Sequence, residues 1–245
     1  MDTSRGNAVV AGMLFIVATV AGVLSLGLLS ELLDDPSYLT RIAASENQLL
    51  VGALLQLIMA AACAGIAIAL YPVLRKHNEG LALGSVVFRG IEAALFVVGA
   101  IFLTLLLTLG QEFVKAGSPS SSHFQTLGVL LKAGFDSAST EAAQLAWCLG
   151  ALMYYYVFYQ TKLVPRWLSG WGLIGIVLSI ITVMLAMFHV STATSTIDTV
   201  LHLPIFFQEM VLAVWLIVKG FDASAIVSVS AGEMSPRPAA ALPAG

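Results

Sequence analysis

The sequence predicts an all-α fold, a polytopic transmembrane helical bundle with about six spans and a short interfacial helix after the first span. The chain has 245 residues, of which 59% are hydrophobic and only 10% are charged, and its mean hydropathy is +0.94. Soluble domains carry roughly 25% charged residues. Several apolar runs also reach the roughly 20 residues that a helix needs to cross the hydrocarbon core of a bilayer.

Six apolar runs account for the predicted spans. They cover residues 8–29, 49–74, 81–109, 140–159, 171–188 and 200–218. After Asp35-Pro36, apolar side chains recur at helical spacing from Tyr38 to Ala43, which is typical of a short helix that begins near the proline and lies at the interface. We expect residues 110–139 to form the longest polar connection, with a semi-apolar part from Phe124 to Phe135.

The domain organisation is simple. Residues 1–221 are predicted to form a single transmembrane bundle, since no stretch is long and polar enough for a second soluble domain. Residues 222–245 are rich in Ala, Pro and Ser, a composition that favours a disordered cytoplasmic tail.

Lysine and arginine residues in the connections predict the orientation, because cytoplasmic loops of membrane proteins carry an excess of them. One set of segments holds Arg5, Arg75, Lys76, Lys162, Arg166, Lys219 and Arg237, and the other holds Arg41, Lys115 and Lys132. The excess of seven Lys and Arg residues over three predicts that the first set of segments, which includes both termini, is cytoplasmic. An even number of spans agrees with this orientation. An interfacial aromatic belt is predicted around the loop after the fourth span, at Tyr154, Tyr155, Tyr156, Tyr159, Trp167 and Trp171.

Ionisable residues inside the spans are the candidate site, because charge at membrane depth is costly and commonly functional. Arg89 and Glu92 lie in the third span, and Gln208 and Glu209 lie in the sixth. Counting about 1.5 Å per helical residue places both Arg89 and Glu209 roughly 15 Å from the cytoplasmic side. These four residues are predicted to form a polar core or ligand-binding cluster.

A second set of polar residues is expected near the opposite surface. Its members are Gln56, Glu141, Gln144 and His202, and by the same count they line an outer vestibule.

Three functions remain open from these residues. The chain binds or transports a small or amphiphilic ligand at the cluster around Arg89, or it is a structural or regulatory membrane subunit in which the cluster only locks helix packing, or it is an intramembrane enzyme that uses paired carboxylates. Complete pairing of Arg89 without a cavity favours the lock, whereas a continuous cavity and an unpaired carboxylate favour the other two.

Other features of the sequence restrict the chemistry further. No catalytic residue, metal site or cofactor is predicted, because nucleotide-binding and hydrolase fingerprints are absent and the four histidines are scattered. Cys63 and Cys148 are expected to be small apolar core residues. The expected partners are membrane lipids and the small amphiphilic ligand; no basic stripe suggests nucleic acid.

Several segments resemble the bacterial domain-of-unknown-function 4386 family. They are Gly80–Gly84, Phe88–Ala93, Leu163–Ser169, Trp171–Gly175 and Glu209–Gly220. The resemblance covers roughly Ser4 to Phe221. It implies a multi-pass protein of a bacterial plasma membrane, and it transfers no activity or catalytic residue.

Overall fold

The structure, a computed structural model, describes residues 3–119, 123–188 and 196–226, and these parts contain helices and no strand. The helices are α1 (Thr3–Leu33), α2 (Tyr38–Ala44), α3 (Glu46–Leu74), α4 (Glu79–Lys115), α5 (His123–Phe135), α6 (Ala143–Thr161), α7 (Arg166–Met187) and α8 (Thr196–Val218). A π-helical segment, Asp136–Ala142, joins α5 to α6. The predicted all-α bundle is confirmed.

Six helices have 19 or more residues, namely α1, α3, α4, α6, α7 and α8. Five of them are long and apolar enough to cross a membrane, which identifies a membrane protein; α6 is not among the five. The sequence of α6 explains this, because its three consecutive tyrosines and its glutamines lower its apolar character. The exact number of membrane crossings therefore stays a prediction.

Contacts between chain segments define two ends of the bundle. At the first end, the Arg5 guanidinium donates to the backbone oxygens of Leu216 and Ile217, at 3.0 and 2.6 Å, and so satisfies carbonyls in the last turn of α8. The Asp222 N–H donates to the Leu163 oxygen at 2.9 Å at the same end. We call it the basic end, and it carries Arg5, Arg75, Lys76, Lys162, Arg166 and Lys219.

The opposite end, which we call the acidic end, is where α1, α4 and α5 meet. Its three cations lie in ion pairs: Arg41 with Glu31 and Asp35, Lys115 with Glu112, and Lys132 with Asp34. None of the six cations of the basic end forms an ion pair within 4.0 Å with another described side chain. Among the described residues, Lys and Arg side chains without an ion-pair partner therefore lie at the basic end and not at the acidic end.

The predicted polar connection over residues 110–139 is mostly helical. The α4 helix continues to Lys115 and ends at Gly117, whose φ of +80° a residue with a side chain rarely adopts. A helical stretch then runs without interruption from His123 to Thr161. Its π-helical part approaches α4 so closely that a Cβ at Gly99 would lie 1.8 Å from Ser139 Oγ. Polar composition indicated a loop here, but packing against α4 stabilises a helix.

The short helix α2 confirms that a helix follows the first span, although it begins two residues later than Pro36, and its position at the membrane interface stays a prediction. Asp35 accepts hydrogen bonds from the backbone and side chain of Ser37 and therefore shapes the turn before the helix. Leu39 and Ile42 are buried, and a Cβ at Gly110 of α4 would lie only 2.6 Å from the Leu39 oxygen. Close backbone contact thus holds α2 against α4.

Residues after α8 continue to contact the bundle for a few positions. Ala225 is buried and Phe221 packs against Phe158, with ring centroids 6.0 Å apart. The rest of the predicted tail, residues 227–245, lies outside the described residues.

Candidate functional site

A buried ion pair lies near the middle of α4. Arg89 Nη1 is 3.0 Å from Glu92 Oε2 and donates to Oε1 at 3.3 Å, and the two side chains are 2% and 4% exposed. The spacing i, i+3 places both residues on one face of the helix. Arg89 Nε also donates to the backbone oxygen of Cys63 on α3 at 3.3 Å. The Arg89 guanidinium is thus neutralised by a residue of its own helix, α4, and forms a hydrogen bond to α3.

Glu209 of α8 faces this pair from across the bundle interior. It interacts electrostatically with Arg89, but the two described side chains form no ion pair within 4.0 Å. Its Oε1 atom is shielded from solvent and has no hydrogen-bond partner among the described residues. The indole of Trp147 lies beside the same carboxylate. We call Arg89, Glu92 and Glu209 the charged cluster.

Gln208, which was predicted together with Glu209, lies in a different polar network. Tyr155 donates its hydroxyl hydrogen to Gln208 Oε1 at 2.5 Å, and Gln208 Nε2 donates to the Leu168 oxygen at 3.0 Å. Successive residues on a helix point about 100° apart, which explains the separation. Gln208 is fully buried and ties α8 to α6 and α7.

The inner cavity lies against the charged cluster and has a volume of about 280 Å³. Arg89, Glu92 and Glu209 all line it, together with Trp147. Most of the remaining lining is apolar and comes from α1, α3 and α8, including Phe15, Met59 and Phe206. A mostly apolar pocket with a few converging polar groups is typical of a small-molecule site.

A larger cavity, the outer vestibule, opens toward the acidic end and has a volume of about 740 Å³. Three of the four residues predicted for it, Gln56, Gln144 and His202, line it. Gln144 Nε2 contacts His202 Nε2, and Thr182 Oγ1 lies 3.4 Å from the same nitrogen. The fourth, Glu141, lies in the π-helical segment and does not line this cavity.

The inner cavity and the outer vestibule adjoin. Their shared lining residues are Gly22, Leu26, Met59, His202 and Phe206. Of these, Leu26 and Phe206 are also 62% and 39% exposed on the outer surface of the bundle. The cavities thus form one groove between α1 and α8, which reaches the lipid-facing surface at the side and the charged cluster at its inner end.

Close packing near the basic end closes the groove on that side. A Cβ at Gly12 of α1 would lie 2.6 Å from the Ala213 oxygen and 2.7 Å from Ile217 Cγ1 of α8. The two helices are therefore in backbone contact there. About two and three turns further along α1, Thr19 and Val23 line the inner cavity.

Several residues of the site were not singled out from the sequence. Trp147 and Thr182 lie in apolar helices, and nothing in the neighbouring sequence distinguishes them from other residues of those helices. Helical spacing alone does not show which neighbouring helix such a side chain faces. Tyr154 and Tyr155 were predicted in an interfacial belt, which is wrong, because both are fully buried. Cys63 and Cys148 are buried free cysteines, and Cys63 contributes its backbone oxygen to Arg89.

The described residues contain no group of three or more His, Cys, Asp or Glu side chains arranged to hold a metal ion. A family model described as "Domain of unknown function (DUF4386)" matches residues 10–220. Neither a curated protein nor a solved structure matches the chain at a significant level.

Proposed function

We propose that this chain, which belongs to the family described as Domain of unknown function (DUF4386), is a membrane protein that binds a small amphiphilic ligand at its charged cluster. Binding there is the recognition step, whether the ligand is retained or transported. The observation that carries the proposal is the continuous groove from the outer vestibule to Arg89, Glu92 and Glu209.

The groove suits an amphiphile because its two parts differ in polarity. An alkyl chain would lie against apolar side chains such as Phe15, Met59 and Phe206, and a polar head would reach the charged cluster. The outer vestibule, at about 740 Å³, lies in the range of roughly 300–1,000 Å³ that is common for ligand pockets, and the inner cavity, at about 280 Å³, is close to the lower limit of that range. The opening toward the lipid-facing side offers an amphiphile a route that avoids water.

The pairing geometry gives less support to a purely structural role. A cluster that locks two helices would be expected to pair its charges between those helices. Here the direct ion pair joins two residues of α4, and Glu209 of α8 keeps an oxygen without a hydrogen-bond partner. The arrangement therefore leaves a carboxyl oxygen of Glu209, a residue that lines the inner cavity, free to accept a hydrogen bond.

We also propose a location in the bacterial inner membrane with both termini in the cytoplasm. The support is the basic end, which carries six Lys and Arg residues against three at the acidic end. An excess of Lys and Arg in short loops favours the cytoplasmic side of the membrane.

Native mass spectrometry tests the binding proposal. Protein released from its own membrane into a neutral detergent is expected to retain a bound amphiphile. Thr19 lines the inner cavity on α1, so Thr19→Trp should fill the space and abolish retention. Val17→Trp, on the same helix at a side chain that is 42% exposed and outside the lining, is the matched control and should retain the ligand. Equal retention in both variants would contradict a site in this groove.

A further inference from the structure

The charged cluster carries two carboxylates and one guanidinium. Glu92 neutralises Arg89 directly, with 3.0 Å between Nη1 and Oε2. Arg89 donates a further hydrogen bond, from Nε, to the backbone oxygen of Cys63. Glu209 has no such cation at contact distance among the described residues, and its Oε1 accepts no hydrogen bond from them. Glu209 is therefore the carboxyl group of the cluster that has no cation at contact distance among the described residues, and Oε2 of Glu92 is a second oxygen there without a hydrogen-bond partner.

The surroundings of Glu209 favour a positively charged group. Trp147 lies beside the carboxylate, and Phe206 lines the same cavity one turn earlier on α8. Aromatic faces attract ammonium groups, and the attraction is stronger where water is excluded. A carboxyl group in a mostly apolar cavity thus offers an ion pair to an ammonium group, and the aromatic side chains of Trp147 and Phe206 line the same cavity.

An anionic head group meets the opposite situation. It would share the Arg89 guanidinium with Glu92, which already neutralises it at 3.0 Å. It would also approach Glu209 at short range in a medium where like charges repel strongly. The geometry thus discriminates against anions even though the site contains an arginine.

We infer that the ligand of this groove is a cationic amphiphile, whose ammonium group binds Glu209 beside Trp147 and whose alkyl chain lies between α1 and α8. This inference rests on the proposed function, because it names the chemical class of the ligand for the same site. Arg89 and Glu92 then act as a neutral pair that holds the inner wall of the cavity.

Three probes with the same alkyl chain test the inference on the full-length protein in phosphatidylcholine nanodiscs: tetradecylammonium, tetradecyl maltoside and tetradecyl sulfate. Tetradecylammonium is expected to bind about tenfold more tightly than the maltoside, equivalent to about 1.4 kcal/mol, and the sulfate is expected to bind most weakly. Thr19→Trp identifies the part of the binding that occurs in the groove. This comparison uses the wild-type chain and does not depend on the folding of a variant at Glu209.

Substitution of Glu209 then tests whether its carboxyl group is responsible for the preference for the ammonium probe. Glu209→Gln should remove the preference for the ammonium probe and leave the affinity for the maltoside unchanged. Glu112→Gln makes the same change of charge at an exposed carboxylate of the acidic end and should keep the preference. Equal affinities for all three probes, or a preference for the sulfate, would overturn the inference and leave the proposed function standing. Binding that Thr19→Trp does not reduce, or no binding at all, would overturn both.

Discussion

Arg89 and Glu92 form their ion pair one turn apart on the same helix, with 3.0 Å between Nη1 and Oε2 and almost no exposed surface on either side chain. The pair is therefore neutral before α4 meets any other helix. Its contact with α3 is a single hydrogen bond from Arg89 Nε to the Cys63 oxygen. The carboxyl group of Glu209 on α8 lines the same cavity as this neutral pair.

Removing Arg89 is expected to destabilise the protein strongly. In Arg89→Ala, Glu92 would remain buried without its cation, and breaking such a pair costs about 3–5 kcal/mol. The thermal midpoint of the purified protein in detergent measures the effect. Lys115→Ala is the control, since its i, i+3 pair with Glu112 is more than half exposed, and such surface pairs contribute about 0–1 kcal/mol.

The double variant Arg89→Leu with Glu92→Leu separates charge from packing. Replacing a buried ion pair by apolar residues of similar size is often close to neutral. We therefore expect the double variant to melt well above Arg89→Ala. A double variant that is as unstable as Arg89→Ala would show that the loss arises from packing and not from the unpaired Glu92.

The hydrogen bond between Tyr155 and Gln208 should show energetic coupling. Gln208→Leu leaves the Tyr155 hydroxyl without its acceptor and the Leu168 oxygen without its donor, at a cost of about 1–3 kcal/mol per unsatisfied buried group. A double-mutant cycle with Tyr155→Phe should give a coupling of about 1 kcal/mol. Tyr156→Phe, next to it but 47% exposed, is the control and should change the stability by less than about 0.5 kcal/mol.

Residue type and depth could be read from the sequence, whereas helix rotation could not. Low charge content and run length predicted the bundle, and counting residues placed Arg89 and Glu209 at one depth. Which face each residue presents depends on neighbours far away in sequence. For that reason Gln208 and Glu209 were grouped although they lie in different networks.

The errors in the helix boundaries have a related cause. The polar residues of 110–139 resemble a loop when each is considered alone, but the end of α4 and α5 pack against each other. Tyr154 and Tyr155 are amphipathic side chains that suit an interface as well as a core. Their burial follows from α6 lying between α4 and α7, which local composition does not reveal.

Gly12 is expected to be the most sensitive glycine of α1. Gly12→Ala places a Cβ 2.6 Å from the Ala213 backbone oxygen, which must move, at a cost of about 1–3 kcal/mol. Gly27→Ala on the same helix meets no atom within 4 Å, so we expect no loss, or a gain of about 0.5–1 kcal/mol from better helix propensity. Thermal unfolding of the two variants measures both effects. Equal melting of the two variants would contradict the close contact between α1 and α8.

Acid should weaken the turn between α1 and α2. Hydrogen bonds from Ser37 and the guanidinium of Arg41 lower the pKa of Asp35 from 3.8 to about 2. A carboxyl whose pKa is lower in the folded state stabilises it at pH values above the unfolded pKa, and this contribution is lost as the pH falls toward 2. Asp35→Asn should therefore melt below wild type at pH 6, and the difference should shrink between about pH 4 and pH 2. A difference that stays constant with pH would contradict the role of the Asp35 charge.

Cysteine labelling in intact cells tests the orientation and the number of spans together. Cys63 and Cys148 are 6% and 0% exposed, so the wild-type chain should not react with a membrane-impermeant maleimide. Ala116→Cys, after α4 at the acidic end, is expected to react in intact cells. Glu79→Cys, at the basic end, should react only after the membrane is permeabilised. These two results would place the basic end in the cytoplasm, as its excess of Lys and Arg favours.

A third position, Gln160→Cys, decides whether α6 crosses the membrane. Gln160 is exposed near the end of α6, and Leu163 just beyond it bonds to Asp222 at the basic end. We expect Gln160→Cys to require permeabilisation, as Glu79→Cys does, because α6 then returns the chain to the cytoplasm and makes the sixth span. Reaction of Gln160→Cys in intact cells would mean that α6 does not cross, and reaction of Glu79→Cys there would mean that the proposed orientation is reversed.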